Sequence, residues 1–234
     1  QFPAPPPNLP RGFYYREAVK PGRFVNIGMV TFNRLEFTKR AIPALLEHTD
    51  FPCVLTVVDN ASTDGTREYL RALKQLGVIK NLVLLDENVG VAKASNLAWA
   101  QEPDAEFYLK LDNDIVIQKP GWLRRMAETL EAVPKIGAVA YSFEPRSYPA
   151  IKAGEHVVRP KPGGTLGGAC VMIPKRTERA LGCWCEDYGL YGEEDFDYGI
   201  RILSKGWINA YMEDEEIGFH LPNGRAAVIN DVMA

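Results

Sequence analysis

From Phe24 onward, short apolar runs alternate with segments whose apolar positions recur every three to four residues. Val25 to Val30 reads as a strand buried on both faces. Phe37 to His48 reads as a helix with Ala41, Leu45 and Leu46 on one face. Val54 to Val58 is a second strand, and Thr66 to Leu76 a second helix. That helix follows Ser62-Thr63-Asp64-Gly65, a run of cap and turn residues. Leu82 to Leu85 and Phe107 to Leu111 predict a third and fourth strand, and Val91 to Ala100 and Trp122 to Glu131 a third and fourth helix. Apolar strands alternating with helices imply an α/β fold whose central sheet is mostly parallel and flanked by helices. Beyond about residue 137 glycine, proline and aromatics dominate, and the strands become short and irregular. Residues 24–234 are therefore expected to form one domain. Residues 24–115 would be its nucleotide-type α/β half, and 116–234 a smaller, irregular, substrate-facing half. Residues 1–23 stand apart as a proline-rich arm, with Phe13, Tyr14 and Tyr15 available to pin it to the body.

Composition narrows the class. The chain has 234 residues, 46% hydrophobic and 24% charged, which is ordinary for a globular domain with a large core. The net charge of −3 carries no basic stripe, which argues against nucleic acid as a partner. No apolar run approaches the roughly 20 residues of a membrane helix, and no signal-peptide pattern is visible at the start. Cys53, Cys170, Cys183 and Cys185 show no paired zinc spacing and are expected to be reduced thiols.

In an open α/β sheet, ligands sit beyond the carboxyl ends of the strands. The first strand ends in Thr31, Phe32, Asn33 and Arg34, and the second in Asp59, Asn60, Ser62 and Asp64. The third delivers Asp86, Glu87, Asn88 and Gly90, and the fourth Asp112, Asn113 and Asp114. Each set alone could be a satisfied turn; four on one rim point to a site. Neither a dinucleotide-binding glycine fingerprint nor a P-loop follows the first strand, so another device must handle phosphate.

Asp112-Asn113-Asp114 is that device in one reading and a strand-closing Asx turn in the other. Carboxylates two residues apart project to one side and can hold a hard divalent cation that also takes phosphate oxygens. Downstream, Glu193, Glu194, Asp195 and Asp197 crowd one short segment. They suit either a helix N-terminus, where acids complement the dipole, or a general base. His220 lies among apolar neighbours and is open to both a packed and a metal-ligating role.

These motifs, in this order, resemble the inverting glycosyltransferases of family 2 with the GT-A fold, most closely the rhamnosyltransferase-like branch. The pieces are V-T-F-N-R at 30–34, V-V-D-N-A-S-T-D-G-T at 57–66, E-N-V-G at 87–90, L-D-N-D at 111–114, L-G-G-A at 166–169, G-E-E-D-F-D at 192–197 and His220. The resemblance implies a nucleotide pocket lined by Thr31, Asn33, Arg34, Asn88, Gly90, Asp112 and Asn113, with Asp59 reading a pyrimidine edge. It implies Mn²⁺ or Mg²⁺ at Asp112 and Asp114, completed by His220. Gly167, Gly168, Trp184 and Glu194 would face donor sugar and acceptor. Asp195 would be the base, with Glu194 the other candidate. The implied donor is a UDP- or dTDP-sugar, and the acceptor a glycan, a lipid-linked glycan or a protein. The implied location is the cytoplasm, with peripheral association at the inner membrane face. Where the family often places an arginine in the third helix, this chain has Ser95-Asn96, and Lys93 is the substitute phosphate contact.

A nucleotidyltransferase would carry a glycine-rich loop where T-F-N-R stands. An inactive sugar-nucleotide-binding module would have no need of Asp112, Asp114, Asp195 and His220 together. A scaffolding role for the proline-rich arm has no positive support.

Overall fold

A computed structural model of the chain describes residues 23–142, 148–161, 163–213 and 217–221. The proline-rich arm lies outside the described residues except for Arg23, which pairs with Glu131. In chain order the elements are β1 (Val25–Thr31), α1 (Leu35–His48), β2 (Cys53–Asp59), α2 (Thr66–Gln75), β3 (Asn81–Leu84) and α3 (Val91–Ala100). They continue as β4 (Phe107–Asp112), β5 (Ile115–Ile117), α4 (Trp122–Ala132), β6 (Ile136–Ala140), β7 (Ile151–Ala153) and β8 (His156–Pro160). The last are β9 (Cys170–Pro174), α5 (Lys175–Leu181), α6 (Glu194–Ser204), β10 (Ile208–Met212) and β11 (Gly218–His220).

The α/β expectation with a central sheet between helices holds. Among the described residues the main sheet runs β3-β2-β1-β4-β9-β6-β10-β8-β7. It is parallel across β3, β2, β1 and β4, as the alternating pattern predicts. It turns mixed where β9 enters antiparallel between β4 and β6. β9 and β6 are apolar at every position because helices cover them on both sides. A separate ribbon pairs β11 with β5, setting His220 opposite Ile115.

The helix starts show how local sequence meets tertiary context. The 37–48 pattern is extended by two residues, to Leu35. Asp64, from the loop after β2, accepts the Leu35 N–H at 2.8 Å and caps α1 from outside. Its other oxygen takes the Thr66 N–H and hydroxyl, so one carboxylate caps two helices. Burial alone would raise the Asp64 pKa, but the hydrogen bonds from Thr66 and Leu35 outweigh it and hold it below the ordinary value. Asp64→Ala is expected to cost about 1–2 kcal/mol in chemical denaturation at neutral pH. A depressed carboxyl stabilises only while ionised. The gap between wild type and Asp64→Ala should therefore be full above about pH 5 and close as the pH falls below about 4.

Candidate functional site

The four predicted rims converge on one cavity of about 350 Å³, the size of a small-molecule site. Phe32 and Arg34 come from the β1 end, Asn60 from β2, Asn88 from the β3 loop, and Asp112, Asn113 and Asp114 from β4. The second half of the chain closes it with Gly167, Gly168, Leu190, Tyr191, Glu194 and Asp195.

The sequence reading placed both Asp59 and Asn60 on the rim and gave Asp59 the pyrimidine edge; the structure sets Asp59 behind the wall. Asp59 is fully buried and does not line the cavity. Its oxygens are taken by the Thr31 hydroxyl at 3.1 Å and the Ser62 N–H at 3.0 Å, with the Arg67 Nε at 3.7 Å. The next residue, Asn60, lies just past the end of β2 and lines the cavity. Asn60 donates to Asn88 Oδ1 and to the Gly90 carbonyl, and accepts the Val89 N–H. Gly90 has φ 88°, and a Cβ there would lie 2.6 Å from the Gly189 carbonyl oxygen, so only glycine fits.

Thr31 and Asn33 also stand behind the wall rather than in it. Thr31 is buried against Asp59. Asn33 adopts φ 55° and ties two loops together, donating its N–H to Ser62 Oγ and accepting the Thr63 N–H. Asn113 lines the cavity but turns its amide to Thr38 on α1. Lys93 is exposed on α3 and is not part of the cavity lining. Trp184 is likewise not an acceptor-facing residue. It is 2% exposed and packs between Trp99 and Tyr198 with ring centroids 5.2 and 4.5 Å away. An apolar ring of that size gains more from the core than from the rim. Asn96 exchanges two hydrogen bonds with the Trp184 backbone, which anchors this loop to α3.

The charged groups interlock. Arg34 pairs with Asp114 at 3.1 Å, both side chains under 10% exposed. Asp112 is more open and meets Lys110 at 3.2 Å. Lys110, which the sequence reading passed over, is buried in β4 and also donates to the Gly168 carbonyl at 2.9 Å. Burial opposes its charge, but Asp112, Glu194 and Asp195 more than compensate and hold its pKa above the ordinary lysine value. Glu194 is buried 3.8 Å from Lys110. Burial raises its pKa despite that ammonium. Asp195 lines the cavity, accepting the Gly168 N–H at 2.9 Å and its neighbour's N–H at Phe196.

Among the described residues no three metal-ligating side chains converge. Asp112 and Asp114 nevertheless put two hard oxygen donors on one cavity wall. That set fits a divalent cation drawing its other ligands from phosphate and water. The His220 backbone comes to the same place: it pairs with Ile115, and the next residue, Leu221, donates to the Asp114 carbonyl.

Residues 26–167, more than half of the chain, match the family model "Glycosyl transferase family 2". The match ends before Gly168, the acids at 193–197 and His220. A curated relative from Mycobacterium tuberculosis, N-acetylglucosaminyl-diphospho-decaprenol L-rhamnosyltransferase, is 24% identical over 82% of this chain and 74% of its own length. A mannosyltransferase from Pyrobaculum calidifontis, solved with GDP-Man and Mn²⁺, superposes with a TM-score of 0.64 at 21% identity, over 90% of this chain and 60% of its own. GalNAc-T7, solved with UDP, GalNAc and Mn²⁺, gives a TM-score of 0.68 at 12% identity, over 81% of this chain and 41% of its own. At these identities the two structures establish a shared GT-A fold.

Proposed function

The chain belongs to glycosyl transferase family 2 and is a glycosyltransferase; from that premise we propose an inverting enzyme with Asp195 as its base. It moves a sugar from a nucleoside-diphosphate donor, of UDP or dTDP type, to an acceptor hydroxyl. The observation that carries this reading is one cavity holding both the Asp112–Asp114 wall and the fixed Asp195 carboxylate.

A hydroxyl is too weak an acid to attack unaided, so a positioned carboxylate accepts its proton as the bond to the anomeric carbon forms. Gly168 and Phe196 hold Asp195 by both oxygens, leaving its other lone pairs for that proton. One base and one displacement give inversion. The base-reading role passes from Asp59 to Asn60, whose amide is held in the wall by Asn88 and Val89. Asp112 and Asp114, with His220, would hold Mn²⁺ or Mg²⁺. Bound there, the cation supplies Lewis-acid neutralisation of the leaving group. Arg34 adds a fixed positive charge on the same wall.

A lipid-linked sugar is the acceptor class supported by the M. tuberculosis relative, whose name specifies a diphospho-decaprenol substrate. Among the described residues no helix is long and apolar enough to cross a membrane. Access to such an acceptor would be peripheral, at the cytoplasmic face.

Calorimetric titration with UDP, dTDP and GDP, each with Mn²⁺ and then with excess EDTA, tests the donor half. Binding of a pyrimidine nucleotide that EDTA abolishes is expected. Binding of GDP alone overturns the pyrimidine assignment, and EDTA-insensitive binding overturns the metal.

A further inference from the structure

We propose that Lys110 is a positioning residue: its ammonium clamps Gly168 against Asp112 and Glu194 and thereby fixes the base carboxylate of Asp195. The proposal rests on the transferase reading of Asp195 above.

Lys110 occupies the middle of a strand otherwise made for burial. β4 reads Phe-Tyr-Leu-Lys-Leu-Asp, and Lys110 pairs with Gly28 on one side and Val171 on the other. Only 6% of its side chain is exposed. Packing alone would favour an apolar residue at that position, because burying an ammonium is costly unless its donors are met. Three separate segments supply its partners, two by hydrogen bonds and one by an ion pair. The Gly168 carbonyl at 2.9 Å comes from the loop before β9. Asp112 Oδ1 at 3.2 Å comes from the end of β4, and Glu194 Oε1 at 3.8 Å from the first turn of α6. An ammonium has three donors, no acceptor and a positive charge, so it suits a carbonyl flanked by two carboxylates.

Gly168 relays the clamp. Its carbonyl is held by Lys110 and its N–H holds Asp195 Oδ2 at 2.9 Å. A Cβ built on Gly168 would lie 2.9 Å from Lys110 Nζ and 3.3 Å from Asp195 Cβ. The ammonium, the glycine backbone and the aspartate are therefore packed around one Cα with no slack. Lys110 acts through that contact rather than by taking the proton itself. A base misplaced by about 1 Å loses on the order of 10²-fold in rate.

The test compares wild type, Lys110→Met, Lys110→Met/Glu194→Gln and Asp195→Ala. The double variant removes a carboxylate together with the cation, in case the single variant folds poorly. The readouts are Mn²⁺-dependent affinity for the nucleoside diphosphate, and nucleoside diphosphate release from UDP-, dTDP- and GDP-sugars with and without azide. Azide attacks the anomeric carbon as an anion. The C–O bond to the diphosphate breaks with no proton to remove, and the products are glycosyl azide and nucleoside diphosphate. At least one Lys110→Met variant is expected to keep nucleotide affinity within about threefold of wild type while release falls about 100-fold. Azide should then restore release in that variant and in Asp195→Ala alike.

Release within threefold of wild type overturns the proposal. So does joint loss of affinity and release without azide rescue in both variants, since Lys110 would then only hold the fold. A wild type that releases nothing from any sugar nucleotide overturns the transferase reading instead. In that case hydrogen exchange at the Gly168 amide still decides the clamp. Exchange should accelerate at least tenfold in Lys110→Met with β9 unchanged, and unaltered protection overturns it.

Discussion

Asp195→Asn is expected to lower sugar transfer by about 10²–10⁴-fold while leaving nucleotide affinity as it was. The amide keeps the size of the carboxylate, and its one oxygen can still accept the Gly168 N–H that ties the loop before β9, while the hydrogen bond from Phe196 is given up. What it loses is the ability to take a proton from the acceptor. The loss should therefore fall on kcat, with the donor KM little changed. Glu194 is the rival acid, and the same measurement on Glu194→Gln separates them. Glu194 is buried against Lys110, whereas Asp195 is the less buried of the two. Full transfer by Asp195→Asn would move the base to Glu194.

If Asp114 ligates the metal as proposed, Asp114→Asn is expected to weaken Mn²⁺-dependent nucleotide binding by at least about 100-fold, since even residues that only support a ligand are worth 10–100-fold. The residual binding should no longer respond to EDTA. The same change takes the charge from a buried ion pair with Arg34. It should therefore also lower the melting temperature, by an amount corresponding to about 3–5 kcal/mol. Calorimetry well below the melting transition separates the two effects. Unchanged EDTA-sensitive binding would remove Asp114 from the metal site.

The pairing of opposite charges here has a functional logic. Asp112 and Asp114 are each met by a cation of the protein, Lys110 and Arg34. A site meant for a metal diphosphate needs both signs close together. On the proposed reading the two carboxylates would serve a metal and Arg34 a phosphate, while Lys110 holds Gly168 and Asp112 in place.

The first four strands and four helices were legible in the chain because each is fixed by its own periodicity. Strand ends fell within a residue or so of the 25–30, 54–58, 82–85 and 107–111 patterns, and α3 matched at both ends. The rim was legible for the same reason: strands running the same way deliver their ends to one edge. Periodicity did not say which of two adjacent rim residues faces the ligand. Asp59 and Asn60 are adjacent, the one under Thr31 and the other, just past the end of β2, in the cavity. The early start of α1 escaped because its cap comes from Asp64, 29 residues away. Trp184 escaped because a lone aromatic in a glycine-rich loop carries no periodic signal; its burial depends on Trp99 and Tyr198, on two different helices.

Sequence by itself determined the motifs, their order and the parallel half of the sheet, because those depend on contacts among neighbours along the chain. Tertiary structure alone decided how β9 enters antiparallel beside β4. It brought Gly168 and Asp195 across to Asp112, and it turned a lysine inside an apolar strand into the point where three segments meet. Contacts of that kind join residues 58 and 84 positions apart, and nothing in local propensity constrains them. They form because a buried charge must find its partners wherever the fold brings them.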